Sequence, residues 1–132
     1  MKSSDALVSV VDDDESVRES LPDLLRQLGF AAAAFSSAEE FLSSDIVNET
    51  SCLLLDITMP GMSGPEAQQE LTRQRRMIPI VFITANADRT LRPRLLERGA
   101  VECLYKPISE AALLEAVAAA LRPASSGYKG AT

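Results

Sequence analysis

The 132-residue chain has no histidine, no tryptophan and only two cysteines, and it contains no long apolar run. Without imidazole, Ser-His-Asp and Cys-His catalysis are excluded, as are zinc sites that rely on histidine. The chain also cannot itself serve as a phosphohistidine donor. Cys52 and Cys103 each sit in an apolar stretch without CxxC spacing, so they read as small buried hydrophobes in a reducing compartment. Residues 1–5 lack the charged start and apolar core of a leader, and no stretch approaches the roughly 20 apolar residues that cross a bilayer. A cytoplasmic protein without membrane contact is expected. Positive charge is the minority, 13 basic against 19 acidic residues, and the net charge of −6 would repel a phosphate backbone. Direct nucleic-acid binding is therefore not expected.

What is present is 46% apolar residues, enough for one core. Five short apolar runs recur, at residues 6–11, 31–35, 52–55, 80–83 and 101–104, and three of them are rich in β-branched residues. Helical spacing fills the gaps. Val17, Leu21, Leu24, Leu25 and Leu28 form one stripe that Gly29 should end, with Pro22 placed early or at a mild kink. A short second helix over 37–43 has Ser36 or Ser37 as its cap, and Gly64-Pro65 opens a third with Ala67 and Leu71 facing inward. Pro93 should push Arg92 out of the helical region, so the fourth helix begins near Thr90 or later and is short. Ser109 opens the last helix and Pro123 stops it, which predicts one domain over 1–122 and a linker or tail over 123–132. Strands alternating with helices predict an α/β fold, a doubly wound parallel sheet of five strands with five helices. Its ligands should bind at the carboxyl ends of the strands, where the strand order reverses.

At those ends stand Asp12 and Asp13 after the first run, Asp56 after the third, Thr84 after the fourth and Lys106 after the fifth. Taken singly, each has an ordinary explanation: an acidic run caps a helix, an aspartate makes a turn, a lysine lies on the surface. Jointly they are far more specific. Three converging carboxylates repel and call for a cation or a proton, and oxygen ligands without histidine or thiolate select a hard ion, Mg²⁺ first. Open positions on such an ion admit phosphate oxygens, with the Lys106 ammonium and Thr84 hydroxyl adding charge and hydrogen bonds. This is a phosphoryl site with Asp56 as the carboxylate nucleophile.

Val-Val-Asp-Asp-Asp-Glu (10–15), Leu-Leu-Leu-Asp-Ile-Thr-Met-Pro-Gly-Met-Ser-Gly (53–64), Val-Phe-Ile-Thr-Ala (81–85) and Tyr-Lys-Pro-Ile (105–108) resemble a response-regulator receiver domain of bacterial two-component systems. Ser-Ala-Glu-Glu-Phe-Leu (37–42) is similar to receivers that precede a helix-turn-helix, DNA-binding output domain. The resemblance spans about residues 7–121 and implies a flavodoxin-like strand order 2-1-3-4-5. It implies that Asp56 is phosphorylated by a sensor histidine kinase and that Asp13 binds Mg²⁺ directly. Asp12 would act largely through metal-bound water, and the Thr58 carbonyl would complete the protein ligands. It further implies that Thr84, the Ala85 amide and Lys106 bind phosphate oxygens, that Lys106-Pro107 is cis, and that Thr58 and Asn86 tune phosphoryl lifetime. Such a protein is no enzyme beyond its own phosphorylation and dephosphorylation. Phosphorylation-dependent homodimers are among the implied outcomes.

One departure stands out: Cys103 occupies the position three before the lysine where receivers usually carry a rotating aromatic. Tyr105, two residues on, should share its sheet face. The expected switch set is thus Thr84, Cys103 and Tyr105, read out on helix 4, strand 5 and helix 5. A shift to the active form needs about 3 to 5 kcal/mol of differential stabilisation. Two rival readings remain: a degenerate receiver acting as an interaction module, and an aspartyl-phosphate phosphohydrolase. Against the latter, Thr58 stands where such hydrolases carry a second aspartate. Arg89, Arg92, Arg94 and Arg98 suggest either an acidic partner or a solvated basic face.

Overall fold

Each apolar run becomes a strand in the computed structural model, which describes residues 6–122. The strands are β1 (Leu7–Val11), β2 (Ala31–Phe35), β3 (Cys52–Asp56), β4 (Ile80–Thr84) and β5 (Glu102–Tyr105). They pair in parallel in the order β2-β1-β3-β4-β5. Every residue of β3 and β4 is buried, because helices cover both sheet faces; their sequences are accordingly apolar almost throughout rather than alternating. Side chains still divide by the two-residue strand period. Val11, Leu53, Leu55, Phe82 and Cys103 point to one face, and Val8, Val10, Leu54, Val81 and Ile83 to the other.

The helices are α1 (Glu15–Gln27), α2 (Ala38–Leu42), α3 (Gly64–Arg73), α4 (Leu91–Glu97) and α5 (Glu110–Leu121). Leu21 and Leu25 of α1 join Leu113 and Val117 of α5 over one face, while Phe41 of α2, Leu71 of α3 and Leu95 of α4 pack over the other. Local chemistry sets the helix ends. Ser37, Ser63 and Ser109 accept backbone N–H bonds as N-caps, and Ser63 and Glu66 close a reciprocal capping box. Gly29 follows α1 with φ of 101°, the left-handed conformation that ends a helix.

Some boundaries differ from expectation. Arg92 lies inside α4 rather than before it, because Pro93 falls in the first turn, where a missing N–H leaves no intrahelical bond unmade. The start just after Thr90 and the seven-residue length of α4 agree with the expectation. The sequence did not signal the short 3₁₀ turn Asp45–Glu49, after which Thr50 bridges Ile46 O and the buried Ser9 hydroxyl. Asp56 and Thr84 close their strands rather than follow them. Pro123 and the expected tail over 123–132 lie outside the described residues. Among those described, no helix is long and apolar enough to cross a membrane.

Candidate functional site

The strand order reverses between β1 and β3, and both strands end in carboxylates at that point. Asp12 follows β1 and is fully buried, Asp13 is exposed, and Asp56 closes β3 at 5% exposure. One oxygen from each lies within 4.8 Å of the others. The acidic run therefore splits into separate roles. Asp14 caps α1 by accepting from the Ser16 hydroxyl at 2.8 Å and the Ser16 N–H at 2.9 Å, which together hold its carboxyl below the ordinary range, and Glu15 sits in the first helical turn.

Asp12 Oδ1 accepts the Asp14 N–H at 2.9 Å, and Oδ2 faces Lys106 Nζ at 2.8 Å in an ion pair without a directional hydrogen bond. That oxygen keeps acceptor capacity although it is buried. Burial, and then the Asp12 charge, push the Asp56 carboxyl up to about 7; Lys106 and the Thr58 N–H offset only part of that rise. Burial opposes the charge on Lys106, yet Asp12 and Asp56 together hold its ammonium above the ordinary lysine range. One lysine thus serves two buried acids. The donor set is all oxygen, one acceptor is incompletely satisfied and one acid is disfavoured as an anion, which fits a hard divalent cation.

Thr84 is buried at the end of β4, and its Oγ1 accepts the Asn86 N–H at 3.0 Å. Its hydroxyl proton stays free for an incoming acceptor. Ala85 and Thr58 are exposed on the loops that follow β4 and β3. Lys106 is presented by a cis Lys106-Pro107 peptide. Cys103 and Tyr105 share one face, as the strand period requires, and both cysteines are buried; burial pushes the Cys52 thiol up to about 12. The Tyr105 hydroxyl donates to Asp88 O at 3.2 Å, and the Arg89 guanidinium sits 4.8 Å above its ring. Arg92 pairs with Glu102, so two of the four arginines near α4 are engaged within the molecule. Sequence reasoning missed Arg18, whose guanidinium donates to the Asp12 carbonyl at 3.0 Å, and Glu39, which accepts the Met62 N–H at 3.0 Å. No spacing rule connects either residue to the acids.

Residues 8–118 match the response regulator receiver domain family. Nodulation protein W of Bradyrhizobium diazoefficiens is 47% identical over 118 residues, covering 89% of this chain and 52% of that protein. The transcriptional regulatory protein TdiR of Thauera aromatica is 40% identical over 114 residues, covering 86% and 50%. The solved structure of the response regulator StyR is similar with a TM-score of 0.81 and 47% identity, covering 89% of this chain and 60% of that one. The chain spans about half the length of the curated relatives it matches.

Proposed function

Since the chain belongs to the response regulator receiver family, whose members take phosphoryl groups from histidine kinases, we propose that Asp56 is its phosphoryl acceptor. The observation that carries this reading is the convergence of Asp12, Asp13 and Asp56 beside Lys106. An Asp56 carboxylate oxygen attacks phosphorus as the P–N bond of the donor phosphohistidine breaks; the electron pair leaves with the imidazole, which takes a proton. Mg²⁺ held by Asp12, Asp13, Asp56 and the Thr58 carbonyl would supply the charge that neutralises carboxylate and phosphoryl oxygens. Lys106, held by Asp12, would turn its ammonium to the transferred group. The Thr84 hydroxyl and Ala85 amide would donate to the phosphoryl oxygens, while the side chains of Thr58 and Asn86 set access of the hydrolytic water.

The switch would run through the loop that Thr84 begins. Tyr105 ties this loop to β5 at Asp88, and Arg89 stacks on the same ring. A pull on Thr84 is therefore felt at Tyr105, while Cys103 takes the space of the usual rotating aromatic without its reach. The responding face is α4, β5 and α5, open to a second copy or an output domain. The names of relatives such as TdiR favour a DNA-binding output on the full-length protein. The proposed setting is the cytoplasm, where the sensor kinase presents its phosphohistidine. Thr58 is not an acid, so no general acid for a phosphohydrolase stands two residues after Asp56.

Incubation with Mg²⁺ and a small-molecule phosphodonor, followed by intact-mass measurement, tests the assignment. One phosphoryl addition, absent from Asp56→Asn, is expected. No addition to the parent protein overturns the assignment and leaves an interaction module; repeated donor turnover indicates a hydrolase.

A further inference from the structure

The segment between β3 and α3 carries Thr58, whose N–H faces the Asp56 carboxylate. Its base is closed by two backbone bonds, Ile57 N–H to Ile83 O at 3.1 Å and Gly64 N–H to Ile57 O at 2.9 Å. Gly64 also permits close approach, because a Cβ there would stand 2.5 Å from the Asp56 carbonyl oxygen. The outer part of the loop is held differently. The Glu39 carboxylate of α2, 23 residues away in sequence, accepts the Met62 N–H at 3.0 Å. The same carboxylate fills the space beside Gly61, where a Cβ would meet Glu39 Oε2 at 2.7 Å, and Gly61 has φ of 77°. The neighbouring acid is already engaged: Glu40 accepts the Ser36 N–H at 2.7 Å and so closes the start of its own helix. Two adjacent acids of α2 thus face two different tasks.

We propose that Glu39 is a positioning residue for the phosphoryl site: it clasps the outer end of the β3–α3 loop and so fixes where the Thr58 backbone stands relative to Asp56. The inference rests on the phosphoacceptor reading above, because Thr58 matters only if its carbonyl is a cation ligand. A charge-assisted bond to one backbone N–H adds to a loop that is otherwise tied at its base, by the buried Met59 side chain and by the Ser63 capping box. Glycine at 61 is then the companion of Glu39, since any side chain there would compete with the carboxylate for the same space.

The test is Mg²⁺ binding by isothermal titration calorimetry, with single phosphoryl addition by mass as a second readout, on the full chain and on Glu39→Ala, Glu39→Gln and Gly61→Ala. Loss of groups that orient metal ligands costs about 10-fold in affinity, the expected loss for Glu39→Ala. Glu39→Gln should restore affinity to within about twofold of the parent, because its amide oxygen can still accept the Met62 N–H. A merely structural role would lower the stability of Glu39→Ala and leave its Mg²⁺ affinity unchanged. Gly61→Ala should weaken binding at least as much as Glu39→Ala, because its Cβ displaces the carboxylate and its φ of 77° is strained for alanine whatever stands beside it. Thermal unfolding in EDTA confirms that each variant is folded. If the parent binds Mg²⁺ and Glu39→Ala binds it equally well, the clasp is refuted while the phosphoacceptor reading stands. If the parent itself binds no Mg²⁺, the phosphoacceptor reading fails, and this inference with it.

Discussion

Neutralising Asp56 should stabilise the metal-free protein, although it removes the proposed acceptor. The carboxyl is held near 7 instead of 3.8 by burial and by Asp12, so its ionisation in the folded state costs up to about 4 kcal/mol. Asparagine keeps the shape without the charge, and imperfect hydrogen bonding of the amide offsets part of the gain. We expect a net gain of about 2 kcal/mol at pH 8 in EDTA, or about 8 °C in Tm for a domain of this size. The sign follows from proton linkage. Between about pH 4 and pH 7 the folded parent binds more protons at Asp56 than the unfolded chain does, so its stability falls as pH rises through that window. Asp56→Asn escapes this loss. The gap between the two proteins should therefore open from about pH 4 to pH 8 and shrink again when excess Mg²⁺ is added to the parent. Paired thermal melts across pH, with and without Mg²⁺, measure all three. A variant no more stable than the parent at pH 8, or a gap that ignores pH, would refute the reasoning.

Because a proton on Asp56 competes with the cation, Mg²⁺ affinity should rise between pH 6 and pH 8 with net proton release near 7; calorimetry in two buffers of different ionisation heat would detect it, and pH-independent binding would contradict it. Lys106→Met strands the buried Asp12 carboxylate and should cost about 3 kcal/mol in urea unfolding at neutral pH, a loss under about 1 kcal/mol being incompatible with the ion pair described. Tyr105→Phe removes a partly exposed hydrogen bond to Asp88, so about 1 kcal/mol of stability is the ceiling. Its larger expected effect is that a phosphate mimic no longer shifts the amide resonances of α4; unchanged shifts would place the switch elsewhere. Leu54→Ala opens a cavity between β3 and the α1 and α5 layer and should cost about 2 to 5 kcal/mol, read as a lower urea midpoint at unchanged slope.

The parallel sheet was legible because β3 and β4 are covered on both sides and therefore read as unbroken apolar runs. The site was legible for a related reason: in such a sheet chemistry gathers at the carboxyl ends, and four of five runs are followed there by Asp, Thr or Lys. Contacts between distant side chains and backbone left no periodic trace. Glu39 reaches Met62 across 23 residues, and nothing in the run of two glutamates distinguishes it from Glu40. Arg92 was misjudged because a rule for the residue before proline was applied where proline sits in a first turn. The role of Tyr105 depends on where the loop from Thr84 places Asp88, which strand periodicity does not encode.

The strand register has a consequence of its own. Val11 pairs with Leu55, Asp56 with Ile83 and Thr84 with Tyr105, so Asp12 is level with Asp56, and Thr84 and Lys106 each stand one step further along the sheet. The groups proposed to react form a short staircase whose treads are set by backbone pairing. Slipping any one strand by a single residue would turn its last side chain to the opposite face and break the staircase. The proposed uptake of one phosphoryl group would thus also gauge whether the sheet has been assembled in its correct alignment.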